Sequence, residues 1–128
     1  MITIITGNDQ IKVENVFNLQ KTLHSHIQCV YEFKDEFFTT LKYQVEQFVL
    51  NDKSHGKMLF CKTYNPTVLQ LFRAYARKHK IDLEFICYTD NEIIKAVIEE
   101  GKVIESDKLA QISEVLIEPL DDIYIGNL

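Results

Sequence analysis

One unit occurs four times in this sequence and constrains the fold more than any other feature. Each copy consists of an apolar run, a short polar loop with a helix-capping residue, and a stretch with helical periodicity. The runs predict strands at residues 2–6, 27–33, 57–61 and 81–88. Strands that alternate with helices indicate parallel βα architecture. Because parallel strands end at one edge of their sheet, we expect the four loops to meet where open α/β folds bind ligands.

Capping residues and apolar spacing predict the first two helices. The first is expected to begin at Asn8 or Asp9 and to run to about residue 23. Its expected inward residues are Ile11, Val16, Leu19 and Leu23. The second is expected to follow a cap at Asp35 and to end before a loop at 51–56. Its expected inward residues are Phe37, Phe38, Leu41, Val45, Phe48 and Val49.

Two further helices follow from local signals. Asn65 as cap and Pro66 at the first helical position begin the third helix. Its expected inward residues are Val68, Leu71, Phe72 and Tyr75. The stretch from Thr89 to Glu92 matches a capping box and predicts a fourth helix that ends at Gly101.

Beyond Gly101 the pattern is weaker. It indicates a short strand at 102–105 and a helix at 107–116 with Ser106 as its cap. Pro119 is expected to end that helix, and residues 123–125 are expected to form a last strand.

These elements predict a single α/β domain over residues 1–128, with regular βα units over 1–101 and an acidic C-terminal segment at 102–128. The expected fold is a three-layer Rossmann-like or flavodoxin-like domain. Its central, mostly parallel sheet would have four to five strands, with the third strand central and the order 2-1-3-4.

Charge and composition restrict the function classes. Residues 1–92 carry eleven acids and eleven bases, and residues 93–128 carry eight acids and three lysines. The net charge of −5 disfavours extensive nucleic-acid binding. No apolar run reaches the roughly 18 residues of a membrane span, and the first residues lack the basic region of a signal peptide. Three cysteines without CxxC spacing indicate reduced, buried thiols and a cytoplasmic location.

Several known chemistries lack their motifs. The loop after the first strand has a single glycine, Gly7, and therefore matches neither a Walker A loop nor a dinucleotide-binding turn. A phosphatase of the Cys-x5-Arg type would need arginine at Thr67. Four histidines, His24, His26, His55 and His79, precede strands, and no third metal ligand can be identified beside His24 and His26. No metal, cofactor or reaction can be assigned.

Two functional hypotheses remain. In the first, an anionic and nucleotide-like small molecule binds at the C-terminal edge of the sheet, near the helix N-termini. Its expected contacts are Gly7, Asn8, Asp9, Lys62, Thr63, Asn65, Thr89 and Asp90.

In the second, the chain is a non-catalytic interaction protein that assembles through opposite charges, as a homodimer or with a protein partner. A basic rim at the opposite edge consists of Lys53, Lys57, Arg77, Lys78, His79 and Lys80. Its counterpart would be the acidic side chains Glu114, Glu118, Asp121 and Asp122.

Overall fold

A computed structural model describes residues 1–23, 30–34, 36–55, 59–104 and 106–126, which form one six-stranded sheet and four helices. The strands are β1 (Ile2–Gly7), β2 (Val30–Glu32), β3 (Leu59–Lys62), β4 (Leu83–Tyr88), β5 (Ile93–Glu99) and β6 (Lys102–Val103). The helices are α1 (Gln10–Leu23), α2 (Phe38–His55), α3 (Pro66–His79) and α4 (Ser106–Gly126). The predicted α/β class is confirmed.

The strand order is β2-β3-β1-β4-β5-β6. The first four are parallel, and the last two are antiparallel to their neighbours. The predicted order with a central third strand is wrong, because β1 lies between β3 and β4. The side chains of Ile2, Ile4 and Ile5 are fully buried, as expected for a strand covered on both faces. The Rossmann-like or flavodoxin-like classification stays a prediction.

The predicted fourth helix is wrong, because its residues form β5. Ile94, Ala96 and Ile98 are buried and the residues between them are more exposed, which is the two-residue period of a strand. The Thr89–Glu92 stretch closes a hairpin instead of capping a helix. Thr89 N donates to Glu92 O and Glu92 N donates to Thr89 Oγ1, each at 3.0 Å. β5 and its short partner β6 therefore raise the sheet to six strands.

Two helices extend further than predicted. α2 continues through the expected loop to His55, because Asp52 lies on the same inward stripe as Leu41, Val45 and Val49. α4 continues past Pro119 to Gly126, so the predicted helix end and last strand are wrong. Leu109 and Ile112 are buried in the main core, and this packing holds the helix against the sheet.

The inward faces of two helices also differ from prediction. α1 buries Val13 and Phe17, whereas Ile11, Leu19 and Leu23 are more than half exposed. At the start of α2, Phe37 and Phe38 are 83% and 57% exposed. Only α3 follows its prediction closely, with Asn65 Oδ1 accepting from Thr67 N at 2.9 Å.

The helices divide unequally between the two faces of the sheet. Side chains of α2, α3 and α4 share the main core, whereas α1 packs on the other face as the one described helix there. Connections between parallel strands are right-handed, so their direction along the sheet decides which face the helix covers. The chain moves from β1 outward to β2 through α1, and it moves back through α2 to β3 and through α3 to β4. α1 therefore lies on one face, and α2 and α3 lie on the other. The direction of the connections changes between β1 and β3, and this is the topological switch point.

Gly7 is required by a close approach between strands. Its φ is +147°, and a Cβ at this position would lie 2.1 Å from the backbone oxygen of Tyr88. We therefore expect Gly7→Ala to lower the free energy of unfolding by at least about 2 kcal/mol, through strain and overlap. Urea denaturation would measure the change. The exposed neighbour Asn8 provides the control, because Asn8→Ala should shift stability by less than about 0.5 kcal/mol.

Candidate functional site

The carboxyl ends of β1, β3 and β4 place Gly7, Lys62 and Tyr88 at one edge of the sheet. Lys62 is the last residue of β3, next to the switch point. Only 3% of the residue is exposed, because α1 covers the face of the sheet on which its side chain lies. A lysine this deeply buried is expected to have a charged partner.

The partners of Lys62 are two carboxylates from different elements. Its Nζ lies 2.6 Å from Glu14 Oε1 on α1 and 3.3 Å from Glu32 Oε1 on β2. The ammonium also lies 4.6 Å from the ring centroid of Phe17, within cation–π range. Tyr64 completes the cluster, because its hydroxyl donates to Glu14 Oε1 at 2.9 Å. We call Lys62, Glu14, Glu32 and Tyr64 the Lys62 cluster.

The cluster perturbs its own acid–base groups. The hydrogen bond from Lys62 lowers the pKa of Glu14 below its ordinary value of 4.5, against the opposing effect of burial, and the hydrogen bond from Tyr64 lowers it further. Burial raises the pKa of Tyr64, and the hydrogen bond to Glu14 raises it more. Glu14 is therefore ionised and Tyr64 neutral at pH 7. The Lys62 charge is balanced within the protein.

Several of the other predicted ligand contacts at this edge form hydrogen bonds that build the loops. Asp9 Oδ1 accepts from Lys12 N at 3.2 Å and caps α1, as predicted. The hydroxyl of the buried Thr63 accepts from Asn65 N at 3.1 Å. Thr89 closes the β4–β5 hairpin, and both Asn8 and Asp90 are exposed. Whether these residues bind a ligand stays a prediction.

Lys12 connects the first and fourth loops, and the sequence analysis did not select it. Its Nζ donates to the backbone oxygens of Thr89 at 3.1 Å and Asp90 at 3.5 Å, and lies 3.4 Å from Asp9 Oδ2. Lys12 and Lys62 thus both contact carboxylates, and the exposed Lys34, which follows β2, is a third cation at this edge.

The buried thiols do not provide a nucleophile. Cys61 and Cys87 are fully buried, and Cys29 lies outside the described residues. Burial raises the pKa of Cys61 well above its ordinary value of 9.0 and the pKa of Cys87 to about 11. Within the described ranges, no group of three His, Cys, Asp or Glu side chains is arranged to hold a metal ion. Those ranges also contain no helix long and apolar enough to cross a membrane.

A different arrangement occurs at the opposite edge of the sheet. A groove of about 520 Å³ lies between α3 and the β5–β6 turn, and we call it the basic groove. Four cations line it, accompanied by one carboxylate, Glu100. The cations are Arg73, Arg77, Lys80 and Lys102. Among the described residues, none of the four has a carboxylate oxygen within 4.0 Å.

The sequence analysis found only part of this groove. Arg77 and Lys80 belong to the predicted basic rim, and Arg73 and Lys102 were missed. The spacing of Arg73 and Arg77, four residues apart on one helix, could have indicated a shared face. The structure does not describe the side chains of Lys53 and Lys57. The Nζ of Lys78 lies over the Tyr75 ring, 5.8 Å from the ring centroid.

Backbone hydrogen bonds hold the two walls of the groove together. Ile81 N donates to Ala76 O at 3.1 Å, and Gly101 N donates to Ile81 O at 3.0 Å. A Cβ on Gly101 would lie 2.8 Å from the Arg77 Cα, so the turn touches α3 directly. Lys80 ends α3 in the left-handed conformation, with φ +53°, where glycine is usually preferred. The left-handed conformation of Lys80 costs backbone free energy, and it places a cation beside the groove.

Comparison with known proteins identifies no family for this chain. No protein-family model matches it, and no curated protein or solved structure is significantly similar to it. Geometry and charge therefore distinguish the two candidate sites.

The lowered pKa of Glu14 predicts a pH dependence of stability. Because the folded pKa lies below the unfolded value, the contribution of the ion pair is complete above about pH 4.5 and is lost as the pH falls through the folded pKa. Glu14→Gln should cost about 1 kcal/mol at pH 7, less than a fully buried pair because one third of the Glu14 side chain is exposed.

Thermal unfolding between about pH 3 and pH 7 tests this dependence. Below pH 4.5, the melting temperature of Glu14→Gln should fall less steeply than that of the wild type. The exposed Glu36 offers a control, and Glu36→Gln should keep the wild-type slope. Equal slopes for Glu14→Gln and the wild type would contradict the assignment of the ion pair.

Proposed function

We propose that the protein is a non-catalytic interaction module that binds an acidic protein segment in the basic groove. The observation that carries the proposal is the charge of this groove, where four cations from two elements face a single carboxylate. Guanidinium groups bind carboxylates through paired hydrogen bonds, and lysines add charge without a fixed geometry. A concentration of unbalanced positive charge attracts an anionic partner and speeds its association.

The position of the cations argues against a purely local role. Arg77 and Lys80 lie near the C-terminal end of α3, where any cation complements the helix dipole. That explanation does not cover Lys102, which belongs to β6. Nor does it account for Arg73, nearly two turns before the helix end. Cations that converge from separate elements are better explained by a shared ligand.

The alternative proposal is a small anionic ligand at the C-terminal edge. It has less support, because Lys62 contacts Glu14 and Glu32, and Lys12 contacts Asp9. A thermal-shift screen with nucleotides, in which a hit is erased by Lys62→Ala, would support this alternative.

An acidic segment is also present in this chain. Asp107 and Glu114 lie on α4, and the sequence continues with Glu118, Asp121 and Asp122. The partner is therefore either another acidic protein or this segment of a second copy. A peptide spanning residues 106–126 and a poly-glutamate peptide, used as separate probes, would distinguish sequence-specific binding from general binding of acidic segments.

Charge reversal tests the groove. We expect Arg77→Glu and Lys102→Glu each to weaken binding of labelled poly-glutamate at least about tenfold, or about 1.4 kcal/mol, as measured by fluorescence anisotropy. Affinity should also fall as salt rises from about 50 mM to about 300 mM.

Lys78→Glu is the matched control, because it makes the same charge change on the same helix outside the groove lining. It should weaken binding less than about threefold. Equal weakening by all three variants would show a response to net charge alone and would contradict the proposal.

A further inference from the structure

The four cations of the basic groove line one compact space. Its volume of about 520 Å³ lies within the roughly 300–1,000 Å³ of small-ligand sites. Arg73 and Arg77 are four residues apart on α3, so their side chains start from neighbouring positions on one helix face. Lys102 belongs to the other wall, on β6. The cations are therefore placed to contact one compact group from two sides rather than a long extended chain.

Holding these cations together costs free energy when no ligand is bound. Like charges four residues apart on a helix, such as Arg73 and Arg77, destabilise the helix. Glu100 is the one carboxylate in the lining, so three of the four positive charges have no counterpart there. Charge that is kept together at such a cost indicates a ligand with more than one negative charge.

The backbone around the groove is strained as well. Within the described ranges, the residues other than glycine with a positive φ are Lys80 at +53° and Glu100 at +50°, and both line the groove. Glu100 and Gly101, at φ +82°, form the turn that brings Lys102 opposite Glu99. Strained backbone persists most often at functional sites. The strain therefore supports a ligand at the same place as the charge does.

A phosphate monoester matches this arrangement better than a single carboxylate. A carboxylate has one charge on two oxygens that lie in one plane. A phosphorylated side chain has about two charges at pH 7 on three oxygens that point to different sides. Three such oxygens can accept from guanidinium groups on α3 and from an ammonium on the opposite wall at the same time.

We propose that the acidic segment in the basic groove binds through a phosphorylated side chain. Arg73 and Arg77 donate paired hydrogen bonds to the phosphate, and Lys80 and Lys102 add charge from either side of it. The inference rests on the proposed function, because it names the group that the same groove recognises.

Three labelled peptides, titrated with the full chain and followed by fluorescence anisotropy, test the proposal. The first has a phosphoserine with two glutamates on each side and carries about six negative charges. The second is hexaglutamate, which matches that charge, and the third has serine in place of the phosphoserine. We expect the phosphopeptide to bind at least about tenfold more tightly than hexaglutamate, and the serine peptide to bind more weakly than both.

A conservative double variant separates paired hydrogen bonds from charge. Arg73→Lys combined with Arg77→Lys keeps four cations in the groove but removes both guanidinium groups. Both positions are exposed, so the variant should keep its fold, which circular dichroism checks. We expect it to bind hexaglutamate within about threefold of the wild type and to prefer the phosphopeptide less than about threefold. A tenfold preference that survives in this variant would overturn the role of the two arginines.

The outcomes distinguish this inference from the proposed function. Equal affinity for the phosphopeptide and hexaglutamate, weakened by Arg77→Glu but not by Lys78→Glu, would overturn the phosphate contact and leave the groove as the site of an acidic segment. Binding of neither peptide, or equal weakening by both variants, would overturn both.

Inorganic phosphate distinguishes a phosphorylated segment from a free phosphate ligand. It lacks the flanking carboxylates, so it should displace the phosphopeptide only at least about a hundredfold above the dissociation constant of that peptide. Displacement near that constant would show that the groove binds a free phosphate compound and would overturn the proposed segment.

Discussion

Burial of the Lys62 ammonium beneath α1 requires a compensating carboxylate, and the surrounding structure supplies two. Glu14 comes from the helix that covers the site and Glu32 from the neighbouring strand, so the ion pairs connect α1 and β2 to β3. The same contacts balance the cation at the switch point of the sheet. The switch point, where an open α/β fold usually meets its ligand, thus holds an internal charge network, whereas the four cations of the basic groove contact no carboxylate among the described residues.

Local signals in the sequence were sufficient to identify the strands and helices of the parallel βα part of the fold, but not the order of its strands. β1, β4 and α3 lie close to their predicted positions, because an isoleucine-rich strand, a buried run and an Asn-Pro helix start each depend on neighbouring residues. The Thr89–Glu92 stretch shows the limit of such signals. A side chain that accepts from the amide three residues later can begin a helix or close a hairpin, and pairing with β4 decides between them.

The two candidate sites could not be predicted in full, because they depend on tertiary contacts that the spacing of residues in the sequence does not reveal. Lys62 follows a strand and precedes a helix start, which suggested a free cation, but the position of Glu14 beside it depends on the packing of α1. Lys102 joins Arg73 and Arg77 only because the β5–β6 turn approaches α3 through Gly101. The prediction placed Ile11, Leu19 and Leu23 of α1 in the core because they recur at a helical period, but all three are more than half exposed, since the period alone does not show which residues the sheet covers.

The central claim is that recognition occurs at the edge opposite the carboxyl ends of the strands. Its most direct test is an amide nuclear magnetic resonance titration of the isotope-labelled full chain with poly-glutamate peptide. The account predicts that shift changes concentrate at residues 73–80 and 100–103, with few at Gly7, at 62–65 or at 89–90. Changes concentrated at Lys62, Thr63 and Thr89 instead would contradict it and would assign recognition to the carboxyl edge.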